Sequence, residues 1–330
     1  MLKSNRTVLP IIAVIISSTC FCYSQSSVPS SATASFQANY ALAELGNVAA
    51  EVRIGRDYYE GRGVSRDFAQ SLIWFQKSAD AGSTEAQAWA GHIYWTGSGV
   101  QPNLPKAYEI ESTLTERNVP LAKMFLGQMY ETGRGATKDP TRAVQLYEEA
   151  CKQGVARAYD LLGASYFRGN GVSQDFNEAQ VLYNRGAALG DDWSEAHMAD
   201  LYLNGNHVDK DSAKALQLFS HAALAGNMLA EDRLGKMYEK GEGVEQSNST
   251  AANWYAKSAA QSYEPAQLSI GRLYHLGLGV PQDEMKAYVW TYRAYFHRKD
   301  PKILAELKVI QGGLSAEQVE MLTPILVNAK

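Results

Sequence analysis

The chain repeats itself every 36 residues, and this period constrains its fold more than any other feature of the sequence. Seven consecutive units follow one another without an insertion, and we number positions from one reference residue in each. The reference residues are Gly55, Gly91, Gly127, Gly163, Ala199, Gly235 and Gly271. All seven units have tyrosine at position +3 and glycine at position +6. Such a period is typical of stacked supersecondary units, each of which buries its apolar face against its neighbours.

The first half of each unit has the apolar spacing of a helix, helix A. Position −1 is apolar in every unit, and position −5 is alanine or serine. Together with the tyrosines these residues form one stripe at helical spacing, which we expect to be the core. The glycine at +6, usually followed by a second at +8, predicts the end of helix A because glycine readily adopts positive φ.

The second half of each unit predicts another helix, helix B, which begins after position +12. The residues at +12 are Asp67, Asn103, Asp139, Asp175, Asp211, Ser247 and Asp283. All seven are good N-caps, because their side-chain oxygens can accept from amides of the first turn. Small residues follow four positions later, and larger apolar residues fill the next turn.

The motif resembles that of the Sel-one-like repeat (SLR) family, in the tetratricopeptide-repeat-like superfamily. The fourth unit carries it as Ala158, Leu162-Gly163, Tyr166, Gly169, Gly171-Val172, Asp175, Ala179 and Leu182-Tyr183. The resemblance implies an all-α fold, a right-handed α-solenoid of seven 36-residue helix–turn–helix repeats with capping helices. It also implies adaptor roles, among them assembly of membrane-associated complexes, envelope biogenesis and host interaction. One cysteine-rich branch is linked to β-lactam binding, but this chain lacks its paired cysteines.

Outside the repeats, the sequence predicts an export signal and helical caps. Residues 1–24 have a short positive start and an apolar run, which fits a cleaved signal peptide, with an uncleaved anchor as the alternative. A Ser-rich linker is expected at 25–34, a capping helix at 35–48, the repeats at 49–299 and capping helices at 300–330. The expected location is periplasmic or secreted, with no stable membrane span after signal cleavage.

Charge and composition argue against several classes of function. The formal net charge is −4, and cleavage of residues 1–24 removes two of the 31 basic residues and none of the 35 acidic ones. An acidic chain without a basic run does not predict nucleic-acid binding. We find no zinc, nucleophile-elbow or phosphate-loop pattern, so we expect no metal, no cofactor and no enzyme. Cys151 takes the place of a small packing residue and is expected to be a buried structural thiol.

The face of helix A opposite the core stripe is the predicted binding surface. Positions −2, +1 and +5 point away from the stripe, and in related solenoids this face lines the concave groove. The expected partner-binding residues are Arg53, Arg56, Trp89, His92, Phe125, Gln128, Leu161, His197, Arg233, Lys236 and Arg272. The first four units would expose an aromatic–arginine cluster, as interface hot spots do, and the later units a basic strip.

We therefore expect an exported scaffold or adaptor that binds a protein or peptide. One alternative is a cell-wall or β-lactam hydrolase of the SLR type, and another is a lumenal component of a eukaryotic protein-degradation complex.

Overall fold

The computed structural model describes residues 30–327, so the expected signal peptide lies outside the described residues. Within that range the chain forms 17 helices and no strand, which confirms the predicted all-α solenoid class. The described chain divides into two compact units, a first that ends at Leu114 and a second that begins at Thr115.

The first unit contains a capping helix and most of the first two repeats. The capping helix α1 (Ser30–Glu44) begins inside the segment that we expected to be a linker. Its Phe36 and Ala43 pack with Ile54 and Trp74 of the first repeat, and this burial stabilises the helix. The helices that follow are α2 (Val48–Glu60), α3 (Phe68–Asp80), α4 (Thr84–Thr96) and α5 (Leu104–Glu116), whose last two residues belong to the second unit.

The second unit contains five complete repeats and two further helices. The repeat helices are α6 (Pro120–Thr132), α7 (Pro140–Lys152), α8 (Ala156–Arg168), α9 (Phe176–Ala188), α10 (Asp192–Asn204), α11 (Ser212–Leu224), α12 (Met228–Lys240), α13 (Asn248–Ala260), α14 (Glu264–Leu276) and α15 (Glu284–Arg298). The chain continues with α16 (Pro301–Gly312) and α17 (Ala316–Val327). Ser315 and Gln318 form a reciprocal capping box at the start of α17.

The caps lie where the sequence predicts them in all seven repeats. Helix A ends at a left-handed glycine, and the side chain at +12 accepts from an amide of helix B. The +12 backbone N–H also donates to the carbonyl of the +3 tyrosine, as from Asp67 to Tyr58 at 2.9 Å. This tertiary bond fixes the turn between the two helices of each repeat.

The core stripe is only partly the one expected. Position −1 is buried in every repeat, but the +3 tyrosines are half-buried rather than core. Their rings lie near the start of helix B, where cations such as Lys106 over Tyr94 and Lys214 over Tyr202 pack on them at 4.1 and 4.0 Å. Long cationic side chains thus cover the rings of Tyr94, Tyr130, Tyr202 and Tyr274.

The fully buried aromatic rings come instead from position +20 of helix B. Phe75, Tyr147, Phe219 and Tyr255 have no exposed surface. Each lies against the reference position of its own repeat: a Cβ atom added to Gly127 would lie 2.6 Å from the Tyr147 ring. Glycine at the reference position therefore makes room for the ring.

The glycine at +8 has a second role, because it touches the start of helix B in the preceding repeat. A Cβ atom on Gly99 would lie 2.7 Å from Cβ of Phe68, and one on Gly171 would overlap the carbonyl of Pro140. Where His207 replaces this glycine, its backbone keeps a φ of 60° and its ring stacks on Phe176, at 3.7 Å between centroids. Neighbouring repeats are thus joined at this turn.

We expect Gly171→Ala to destabilise the chain more than Gly154→Ala does. Both glycines have positive φ, 78° and 81°, so alanine at either costs about 1–2 kcal/mol of backbone strain. Nothing lies within 4 Å of a Cβ atom at Gly154, whereas at Gly171 the backbone of Pro140 must move. This overlap adds about 1–3 kcal/mol. Urea unfolding of the two variants measures the difference, and equal losses would show that the repeats do not touch here.

Candidate functional site

The outer face of helix A is more covered than its sequence pattern indicates. In two repeats the side chain at position −2 packs on the +20 aromatic ring of the preceding repeat. Trp89 stacks on Phe75 with ring centroids 5.5 Å apart and planes 2° apart, and His197 stacks on Tyr183 at 5.2 Å. Trp89 and His197 are therefore part of the packing between neighbouring repeats.

The eleven expected binding residues differ in exposure. Arg53 and Arg272 are exposed, and Phe125 and His92 are buried. The half-buried residues are Arg56, Trp89, Gln128, Leu161, His197, Arg233 and Lys236.

Phe125 does not form an exposed aromatic stripe with Trp89, and that part of the hypothesis is wrong. Only 3 % of Phe125 is exposed. Burial removes its apolar ring from water, whereas Trp89 and Leu161 at the same position stay half-buried. His92 is 9 % exposed, and its Nε2 lies 3.1 Å from the hydroxyl of Tyr59.

The basic residues of the second unit do not form a free cationic strip, which corrects a second expectation. Arg233 binds Asp200 of the preceding repeat through two contacts, of 2.7 and 3.2 Å. Arg272 pairs with Glu239 of the preceding repeat, and Lys236 pairs with Asp232 at 2.6 Å. These ion pairs neutralise the cations that would otherwise attract an acidic partner.

His197 also contacts a carboxylate of the preceding repeat. Its Nδ1 lies 2.5 Å from Asp160, a carboxylate only 1 % exposed, and Arg157 approaches the same carboxylate at 3.1 Å. Burial opposes ionisation of Asp160, but Arg157 and His197 hold its pKa below the usual range. Asp160 is therefore ionised, and His197 stabilises it.

The first unit combines predicted binding residues with a large groove. This groove has a volume of about 920 Å³ and lies among α1, α2 and the turn that leads into α4. We call it the first-unit groove. Its lining residues are Ser35, Asn39, Val48, Ala49, Val52, Arg53, Arg56, Asp57, Glu60, Arg62, Ala81, Gly82, Ser83, Thr84 and Glu85. At its edge Arg56 lies over the Trp89 ring, 5.9 Å from the centroid.

The charged side chains of the first-unit groove are incompletely paired. Arg62 binds Glu60 at 2.8 Å, but Arg56 approaches Glu60 and Glu85 only at 3.9 Å. Arg53 forms no ion pair with any described residue, although its side chain is exposed in the groove. An exposed guanidinium beside a weakly paired one is a suitable receptor for carboxylates.

Sequence reasoning missed four charged residues of this groove. Glu60 lies at +5, a position on the predicted face, and helical spacing alone could have found it. Asp57 lies at +2, off that face, Arg62 follows the helix end, and Glu85 comes from the next repeat. Only the packing of α4 beside α2 brings Glu85 to Arg56.

Three further features of the described residues bear on function: the thiol of Cys151, clusters of metal-binding side chains and the length of apolar helices. Cys151 is buried, as predicted, and burial raises the pKa of its thiol to about 12, so it is a poor nucleophile. Between residues 30 and 327, no set of three or more His, Cys, Asp or Glu side chains could hold a metal ion. No helix in that range is both long and apolar enough to cross a membrane.

Comparison with solved structures finds several helical repeat proteins. A Sel1 repeat protein from Oxalobacter formigenes is 28% identical, with a TM-score of 0.56, and the match covers 76% of this chain and all of that one. A protective antigen of uropathogenic Escherichia coli with an SLR fold is 32% identical, with a TM-score of 0.49. That match covers 84% of this chain, which spans 60% of the length of the antigen.

An immunity protein from Pseudomonas aeruginosa is 24% identical, with a TM-score of 0.50, over 64% of this chain and 81% of that one. No curated protein matches the chain.

The Sel1 repeat model matches the chain seven times. The matched residues are 48–83, 84–109, 120–155, 156–191, 194–227, 229–263 and 265–295. Proteins built from these repeats generally mediate protein–protein interactions as non-catalytic scaffolds. Since the seven matches follow the seven helix pairs and cover most of the sequence, the chain belongs to the Sel1 repeat family.

Proposed function

We propose that the protein is an exported scaffold that binds an acidic segment of a partner protein in the first-unit groove. The observation that carries the proposal is Arg53, which is exposed in this groove and forms no ion pair with a described residue. Arg56, at long distance from its carboxylates and next to Trp89, adds a second contact of the same kind. Arginine and tryptophan are the residues that most often dominate binding energy at protein interfaces.

The charge distribution favours this groove over the face of the second unit. There, His197, Arg233, Lys236 and Arg272 already have carboxylate partners. A partner would have to displace those carboxylates, and a buried acid such as Asp232 would lose its counter-ions. Arg53 has no carboxylate that must be displaced, so an acidic partner gains more binding free energy at the first-unit groove.

Export follows from the character of residues 1–24, and a periplasmic or secreted location is part of the proposal. Two similar proteins are described as a protective antigen and an immunity protein, and both descriptions are compatible with a role in contact with other proteins. The adaptor roles of the repeat family favour a partner that belongs to an envelope complex or to a host.

Affinity capture with crosslinking from the native host tests the proposal, with an Arg53→Ala/Arg56→Ala double variant beside the wild-type chain. We expect the double variant to lose about 2 kcal/mol or more of binding to the captured partner, the scale of interface hot spots. A Lys302→Ala/Lys308→Ala variant removes the same charge at exposed positions of α16 and is the control. Binding that survives in the first variant, or falls equally in both, would contradict the assignment of the groove.

A further inference from the structure

Asp57 is the one carboxyl group of the first-unit groove that forms no ion pair with a described residue. It lies on α2, half-buried, one turn before Gly61, where the helix ends. Its side chain forms no ion pair with any described residue, whereas Glu60 pairs with Arg62. The chain thus places a half-desolvated carboxyl group in a groove whose exposed arginine is also unpaired.

The charged groups around Asp57 can be named for each element that lines the groove. On its own helix, α2, they are Arg53, Arg56 and Glu60, and Arg62 follows the helix end. From the start of α4 comes Glu85, while α1 contributes only the uncharged Ser35 and Asn39. Three arginines therefore face two other carboxylates, so ionisation of Asp57 alone decides whether the groove is positive or neutral.

We infer that Asp57 regulates the first-unit groove, which binds an acidic peptide segment tightly when this carboxyl group is protonated and weakly when it is ionised. The inference rests on the proposed function, since it concerns the same groove and ligand class. An ionised Asp57 repels the carboxylates of the segment and competes with them for Arg53 and Arg56. Protonation removes the repulsion and leaves the arginines for the ligand.

The environment of Asp57 makes this change occur near neutral pH. Burial, and after it the charge of Glu60, raise the pKa of Asp57 to about 6 against the opposing effect of Arg62, Arg53 and Arg56. The group is therefore ionised above that pH and protonated below it. By linkage, a bound acidic segment must itself raise the pKa of Asp57, because proton and ligand favour each other.

Calorimetric titration of the full chain measures this linkage with a synthetic peptide of alternating aspartate and leucine residues. Free aspartate has a pKa of about 3.9, so the peptide stays ionised at both about pH 5 and about pH 7.5. We expect binding about three- to tenfold tighter at the lower pH, because protonation of Asp57 removes one negative charge close to the carboxylates of the peptide. A peptide with asparagine for aspartate should not bind.

Two variants separate Asp57 from the other acids. Asp57→Asn should bind the aspartate peptide at both pH values as tightly as the wild type does at the lower one. Glu85→Gln removes a different groove carboxylate and should leave the ratio between the two pH values as in the wild type. The carbon-13 shift of the Asp57 carboxyl in the wild-type chain gives a check without substitution, and its titration should move to higher pH when the peptide is added.

The outcomes distinguish the two proposals. Equal affinity at both pH values, or an Asp57 titration that the peptide does not move, would overturn the role of Asp57 and leave the groove as the binding site. A peptide that binds at neither pH would overturn the proposed function, and the regulation with it.

Discussion

Replacing Tyr147 with alanine is expected to lower the free energy of unfolding by about 3–5 kcal/mol, as for other fully buried aromatic residues. The ring has no exposed surface and fills the space above Gly127. Its hydroxyl donates to Glu131 at 2.8 Å, and burial followed by Glu131 raises the pKa of Tyr147, so it remains a donor. Alanine would leave a cavity at the reference glycine and remove this bond.

Tyr166→Ala is the matched control, since it truncates the same residue type in the neighbouring repeat of the same compact unit. Tyr166 is half-buried at position +3, and we expect a loss of about 1–2 kcal/mol, within the common range for single substitutions. Tyr147→Phe keeps the ring and removes only the hydrogen bond, so we expect the free energy of unfolding to fall by about 1 kcal/mol. Urea unfolding followed by circular dichroism ranks the three variants. A Tyr166→Ala loss as large as that of Tyr147→Ala would mean that the +3 column is the core after all.

The stability of the chain is expected to fall as pH rises, because of Glu111. This residue occupies position +20 of the second repeat, where most other repeats have an aromatic ring. It has no exposed surface, and neither carboxylate oxygen has a hydrogen-bond partner among the described residues. Burial alone raises its pKa well above the ordinary value, so the folded chain holds this group as the neutral acid.

The direction of the pH dependence of stability follows from the proton that Glu111 retains in the folded state. Below the unfolded pKa of about 4.3, Glu111 is neutral in both states and costs nothing through ionisation. As pH rises above that value, the unfolded chain releases the proton and the folded chain does not. Stability then falls by about 1.4 kcal/mol per pH unit, until the folded pKa is reached.

Glu111→Gln and Glu111→Phe test this assignment. Glutamine has the same shape and no titration, so the difference in unfolding free energy between wild type and variant should change with pH at the expected slope. Phenylalanine restores the ring that Phe75 places over Gly55 and should make the chain more stable at neutral pH. Parallel pH profiles of the wild type and Glu111→Gln would show that Glu111 does not control the pH dependence.

The helix caps, the helix ends and the burial of position −1 could be predicted because each depends on residues close together in the sequence. Asp67, Asp139 and their counterparts cap helix B because a cap needs only its own first turn, and Gly61 ends helix A for a similar reason. Position −1 is buried because helical spacing places it on the packed face. These features depend on residues within one or two helical turns.

What the sequence did not predict depends on contacts between helices. Helical spacing places Tyr166 and Leu162 on one stripe, but only the position of helix B decides that Tyr147 rather than Tyr166 is enclosed. Likewise Arg53 and Arg233 occupy equivalent positions of helix A. Arg233 is neutralised by Asp200, whereas Arg53 has no ion pair with any described residue, and the candidate site follows from that difference.

The contact made by the +8 glycine also determines how a protein of this kind can change its length. The turn at Gly171 contacts the start of helix B at Pro140 in the preceding repeat. An extra residue in the turn or at this helix start would therefore push the two neighbouring repeats apart. The other turn of the repeat, at Gly154, Gly190 or Gly226, has no atom near the position of a Cβ. Insertions, tags or new recognition loops can be accommodated at these turns. At the turns that carry the +8 glycine, the chain can lengthen only by duplication of a whole 36-residue repeat.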